Sequence, residues 1–295
     1  MRSMTRWVAA AFLVAGIVGG ILLFGDGGAM VGVVVAMIGF QGLTRGVEGV
    51  PYVAAATATT AGLIAIAWKH GLSATELGLG LSTWAVGLAW SAAIVVVTGI
   101  VVGIAGGIPR LRKLFADDRV TDVSGVTTAR RALLDIPFGT VLVEEFAFRS
   151  VMFALAVGVW GTTTAIVVTS VLFGLWHISP SLEMHEAHAH TSGSPIPTIL
   201  STILVTGLGG VGFALLRVWT GSLFPPAALH WAMNGSGVVV GWIVHRTREV
   251  VHLEEPPADH AHHHHHADGT HTADTPRPGH PGNPGNPAAE DPRSA

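Results

Sequence analysis

The chain has 295 residues, 49% of them hydrophobic and 12% charged, with a mean hydropathy of +0.54. Soluble domains carry roughly a quarter charged residues, so this composition places the chain in the membrane class, with a lipid bilayer as surroundings and no nucleic acid as partner. The net charge of -3 says little, because acids and histidines crowd toward the C-terminus, and the absence of cysteine removes disulfides, thiolate metal sites and cysteine nucleophiles.

Apolar runs bounded by charges or by Pro and Gly predict an all-α polytopic bundle of about eight transmembrane spans, over 7–24, 29–43, 52–68, 84–108, 137–160, 162–177, 196–219 and 226–244. The first run follows Arg2 and Arg6 and has the look of a signal peptide. It is long enough to cross a bilayer and lacks an A-x-A cleavage site, so it reads as an uncleaved span. The second run is short. Trp7, Trp68, Trp84, Trp160 and Trp219 fall at span ends, where an interfacial aromatic belt belongs. Small-residue spacings such as Gly16/Gly20 and Gly99/Gly103/Gly107 predict close helix packing.

Between Arg110 and Asp135 lies the longest charged segment, whose later part is expected to lie along the membrane surface as an amphipathic helix. Pro137 then opens the fifth span, at a first helical position where its missing N–H is harmless. Residues 1–80 read as N-terminal membrane helices, 81–248 as the functional membrane domain, and 249–295 as a disordered tail rich in His, Pro and Gly. With eight spans, one side holds Arg2, Arg6, Arg45, Arg110, Arg112, Lys113, Arg119, Arg130, Arg131, Arg246 and Arg248. The other holds Lys69 and Arg217, which argues for cytoplasmic termini.

Three spans carry groups that lipid disfavours. Glu144 and Glu145 sit side by side with Arg149 after them, His177 ends another apolar run, and His230 and Asn234 lie near the start of the last. An ionisable residue inside a membrane points to function unless it is paired. Glu145 and Arg149 are spaced i, i+4 and share a helix face, which suits a supporting ion pair. Glu144 has Phe148 at its own i+4 position and no cation on its helix. A carboxylate beside a histidine can hold a water and take its proton, while a second histidine and an amide stabilise an oxyanion. The same Glu144, His177 and His230 also make a three-ligand set for catalytic zinc. The residues alone leave both open, and the depth of His230, at the far end of its span from the basic side, fits strict two-surface geometry poorly.

These residues spell E-E-x-x-F-R (Glu144, Glu145, Phe148, Arg149), F-x-x-x-H (Phe173, His177) and H-x-x-x-N (His230, Asn234), in order and within apolar spans. The chain from Trp84 to His245 thereby resembles the CAAX-protease and bacteriocin-processing (CPBP) family. Within it, the likeness is to CAAX prenyl protease type 2 and lysostaphin-resistance-protein-like domains. The resemblance implies an intramembrane endopeptidase with Glu144 as water-activating base, His177 as its close partner and His230 and Asn234 on the oxyanion side. Glu145 and Arg149 would support the architecture. It also implies a peptide or membrane-protein substrate, prenylated or bacteriocin-like, and a prokaryotic plasma membrane suits this chain. The family is often labelled metalloprotease, although a metal-free glutamate mechanism has also been argued.

Other intramembrane protease motifs are missing: His185-Glu186-Ala-His188-Ala-His190 has the wrong spacing for H-E-x-x-H and lies in a polar loop. That loop and the run from His262 to His266 are dense enough in imidazole to bind divalent metals. They support a competing reading, a metal or proton transporter with Glu144 and His177 in the ion path, and a non-catalytic membrane scaffold is a third. A transporter of the common kind shows internal repeats, whereas here the acids and histidines of the spans all fall in the second half.

Overall fold

The computed structural model describes residues 2–23, 25–115, 123–187 and 194–254. Among them all regular structure is helical: α1 (Arg2–Leu22), α2 (Gly25–Thr44), α3 (Val50–Lys69), α4 (Trp84–Gly107), α5 (Gly125–Arg130), α6 (Leu142–Glu145), α7 (Met152–Trp176), α8 (Ile178–Ala187), α9 (Ile196–Thr220) and α10 (Phe224–Glu254). Two π-helical segments, Arg131–Val141 and Phe146–Val151, join α5, α6 and α7 into one path. Seven helical stretches among the described residues are long and apolar enough to cross a membrane.

One of those stretches, Gly125–Leu182, runs for 58 residues. At 1.5 Å per residue it would be roughly three times as long as the hydrocarbon core is thick. It folds back instead, at Gly161, whose φ of 77° and ψ of 170° lie outside the helical region. The proof is chemical: the Trp176 indole N–H donates to Glu144 Oε1 at 2.9 Å across a separation of 32 residues. Those atoms would stand about 48 Å apart on a straight helix. The stretch therefore supplies two passes, and the bundle has about eight.

The fifth span does not start at Pro137. Ser124 caps its N-terminus, the hydroxyl oxygen accepting the Thr127 N–H at 3.2 Å, and the helical path runs on from there past Pro137. Pro137 lies inside the π segment Arg131–Val141. Proline removes a donor and crowds the preceding turn. The wider π turn, in which the Leu142 N–H reaches back five residues to Pro137 O, lets the chain pass it without a break.

Glycine holds the first hairpin together. Gly16 lies against the backbone of Gly32 and Ala36, and Gly39 against that of Leu13, so α1 and α2 meet where a side chain has no room. The second glycine series behaves otherwise: Gly99, Gly103 and Gly107 of α4 face open space, so they do not serve packing within the chain. Trp7, Trp68 and Trp219 are strongly exposed, as an aromatic belt in lipid requires.

At one end of the bundle lie Arg6, Arg45, Glu48, Arg130 and Arg131, drawn together by shared contacts between the start of α1, the end of α2 and the start of α5. At the other end the loop 71–80 dips into the bundle. Leu77 is buried, its carbonyl accepts the Ser150 hydroxyl at 2.9 Å, and Gly78 O accepts the Leu223 N–H at 2.9 Å. Arg217 is buried as well and donates to Glu76 O at 2.8 Å, so this cation pins the loop and is no solvent-facing loop charge. In the same loop Glu76 accepts from the Ser73 N–H and hydroxyl at 2.8 and 2.7 Å, which holds its carboxyl below the usual range.

Helix α10 starts at Phe224, beside this inserted loop, with Pro225 and Pro226 in its first turn. It begins inside the bundle and not at the outer surface, which removes the depth mismatch of His230. It then continues to Glu254. The tail 255–295, with His260, His262 to His266, His271 and His280, lies outside the described residues, as do His188 and His190.

Candidate active site

The path from α5 to α7 carries the polar groups of the site, and its second π segment holds Phe148 and Arg149. π turns inside α-helices concentrate at functional sites. Phe148, Arg149 and Ser150 all face inward and are buried. Glu145 Oε1 receives two donors, Arg149 Nη1 at 3.3 Å and His230 Nδ1 at 2.8 Å, and all three side chains are at most 5% exposed. A lone charge this deep would cost several kcal/mol. Here carboxylate and guanidinium offset each other, and the Arg149 guanidinium carbon also lies 3.8 Å from the centroid of the Phe173 ring.

Phe173 is the hub of the site. His177 meets its edge with centroids 4.6 Å apart, His230 does so at 5.9 Å, and Phe148 at 5.3 Å. The ring is buried, and both imidazoles pack on it. Phe213 of α9 stacks on His230 at 5.2 Å and 20°, completing an aromatic wall that fixes the ring plane of His230.

Glu144 sits differently from Glu145. Its Oε1 accepts the Trp176 indole N–H, while Oε2 is buried without a hydrogen-bond partner and lies 3.8 Å from His230 Nε2. Because the His230 Nδ1–H donates to the Glu145 carboxylate, the ring offers Nε2 to that gap. The gap is too wide for a direct hydrogen bond.

The hydrogen bond to Glu144 comes from Trp176, and not from its neighbour His177. His177 is half-buried and donates through Nδ1–H to Phe173 O at 2.8 Å, one turn back on its own helix. Asn234, one turn beyond His230 toward the basic end, is exposed and takes part in none of the described hydrogen bonds. Burial is therefore graded: Glu145, His230 and Glu144 are deep, His177 is intermediate and Asn234 is open. The Leu77 loop closes the far end. The Trp176 carbonyl accepts from Gln41, about one turn from Arg45, so Trp176 lies toward the basic end.

For zinc, the chemistry of the donor set matters more than its sequence order. Among the described residues no three His, Asp or Glu side chains converge on one point. His177 and His230 both pack on Phe173, and only His230 approaches Glu144.

Beside Trp176 an apolar cavity of about 230 Å³ opens between α2 and α7, lined by Val34, Met37, Ile38, Phe148, Leu172 and Trp176. Neither this cavity nor the Trp176 contact is visible in the sequence. Trp176 adjoins His177 in the chain, but only the fold-back at Gly161 brings its indole to Glu144.

These features define the class: a polytopic all-helical membrane protein whose buried centre joins two carboxylates, an arginine and two histidines from three separate passes. Residues 129–236, which hold every one of these groups, match the model of the family described as type II CAAX prenyl endopeptidase Rce1-like. Comparison with curated proteins and with solved structures yields no match.

Proposed function

We propose that the protein is an intramembrane endopeptidase that hydrolyses a peptide bond with a water activated by Glu144. The observation that supports this most is the asymmetry of the Glu144 carboxylate. One oxygen is held by Trp176, and the other is buried, unpartnered and across from His230 Nε2. A buried acceptor without a donor is costly, and such sites persist where a reactant completes them.

The water donates one hydrogen to Glu144 Oε2 and is steered by His230. It attacks the peptide carbonyl as its proton passes to Glu144, and the C–N bond then breaks as Glu144 returns that proton to the leaving amine. Glu145 holds His230 in place through Nδ1, and Arg149 balances Glu145. Asn234 and, with its Nε2 protonated, His230 are assigned to the oxyanion side, where N–H donors would meet the developing charge. His177, fixed by its bond to Phe173 O, forms the rim through which the substrate reaches Glu144.

The substrate is a peptide or membrane-protein segment with an apolar part, for which the cavity beside Trp176 offers a seat in contact with lipid. The basic end that carries Arg6, Arg45, Arg130 and Arg131 is the cytoplasmic one by the positive-inside rule. The site then opens to the cytoplasm and both termini lie there, in a prokaryotic plasma membrane.

The test is cleavage of a peptide library by purified protein in detergent, comparing wild type with Glu144→Gln and His177→Ala, with and without a chelator. Loss of cleavage in Glu144→Gln is expected, with chelator inert. Undiminished cleavage in Glu144→Gln overturns the mechanism, and loss on chelation that zinc restores brings back the metal version with His177, His230 and Glu144 as ligands.

A further inference from the structure

Hydrolysis consumes one water per turnover, and the site just described lies deep, with its open side lying where the substrate enters. A second line of polar groups runs to Glu144 from the basic end, on the face turned toward α3. It starts at Glu48 and Arg130, whose side chains are 56% and 39% exposed and 3.2 Å apart. Arg130 Nε lies 3.4 Å from Asp135 Oδ2, without the geometry of a hydrogen bond. Asp135 is buried, and neither of its carboxylate oxygens has a hydrogen-bond partner. Next come the Tyr52 and Thr140 hydroxyls, bonded to each other at 2.9 Å.

The π-helix makes this line. In an α-helix Asp135 and Thr140 would point about 140° apart. In the i→i+5 register of the segment Arg131–Val141 they come round to the same face. Thr140 and Glu144 follow at one α-helical turn, about 5–6 Å, the span that one bridging water covers with two hydrogen bonds. Gly139 completes the seat: a Cβ at that position would run into the Tyr52 ring, so only glycine lets the ring lie against the helix beside Thr140. Three carboxylate oxygens on the line, two of Asp135 and one of Glu144, are buried acceptors without donors, the kind of group that internal water satisfies.

We propose that Asp135, Thr140 and Tyr52 form a water-conducting track that refills the site from the basic end, separate from the opening used by the substrate. Tyr52 and Thr140 act as positioning residues for that water. The proposal rests on the reading of Glu144 as the base, and it requires no net transport of protons, since the proton taken from water leaves with the amine.

The experiment reads water and catalysis separately. Tyr52 is the only tyrosine of the chain, so its oxidation in a brief hydroxyl-radical pulse, read by mass spectrometry on the full-length protein in detergent, reports water beside it. Thr140→Val keeps the side-chain shape, and it is expected to lower Tyr52 oxidation about fivefold and kcat about tenfold with KM unchanged, both restored by Thr140→Ser. Glu144→Gln is expected to abolish cleavage while leaving Tyr52 oxidation at the wild-type rate. Equal Tyr52 oxidation in wild type and Thr140→Val overturns the track whatever the activity shows. Cleavage by Glu144→Gln overturns the catalytic reading and leaves the labelling result standing.

Discussion

Two passes of this bundle answer the bilayer in opposite ways. Helix α4 carries no charge, and only Gly87 and Gly106 of its residues are buried; it is a regular α-helix that packs on α10 along one face and is exposed elsewhere. The path from Arg131 to Val151 carries Asp135, Glu144, Glu145 and Arg149, all buried, and is π-helical for most of its length. A pass that only spans the membrane satisfies its backbone within itself and offers apolar side chains outward. A pass that holds reactive groups must aim them at partners on other helices, and here the change of helical period does the aiming.

The comparison breaks first at Glu144. Glu144→Gln is expected to lower kcat for any peptide the wild type cleaves by about 10²–10⁴-fold, the usual share of a general base, while no single substitution on α4 does so. Arg149→Met leaves Glu145 buried without its cation, and thermal unfolding in detergent is expected to show a loss of about 3–5 kcal/mol. Ser150→Ala strips the Leu77 carbonyl of its donor and is expected to cost about 1–2 kcal/mol in the same assay. Along with this, the backbone amides of residues 72–80 should exchange with deuterium sooner.

A subtler test lies in that loop. The folded protein holds the Glu76 carboxyl below its ordinary pKa, so its contribution is present above the unfolded value and is lost as pH falls through the depressed one. Hydrogen exchange at the Ser73 amide should therefore quicken only in acid, relative to its neighbours, and Glu76→Gln should remove the pH dependence. Smallest of all is Gly103→Leu on α4, where nothing lies within 4 Å. Stability is expected to stay within about 0.5 kcal/mol of wild type, and a larger loss would show that α4 is packed more closely than its lipid-facing character requires.

The apolar runs and the spacings E-E-x-x-F-R, F-x-x-x-H and H-x-x-x-N were legible without coordinates, because burial in lipid forbids charges that have no use. An i, i+4 Glu–Arg pair is likewise a local fact of helix geometry. The loop 71–80 was not legible: only bonds to Ser150, Arg217 and Leu223 carry it into the bundle. Pro137 misled for a related reason. Proline marks a helix start only if the register is α, and nothing in the sequence announces a π segment. Gly99, Gly103 and Gly107 resemble the α1–α2 glycines in spacing, yet a packing motif acts only where another helix is present.

By itself, then, the sequence determined the helical class, the run of spans and the set of ionisable groups that lipid would tolerate only in a site. The tertiary structure decided their division of labour. Hydrogen bonds across 85 residues from His230 to Glu145 and across 32 from Trp176 to Glu144 made one carboxylate a paired anchor and left the other with an open oxygen. The physical reason is that charge and periodicity act within one helix, whereas which lone pair is left unfilled depends on what the other helices bring to it.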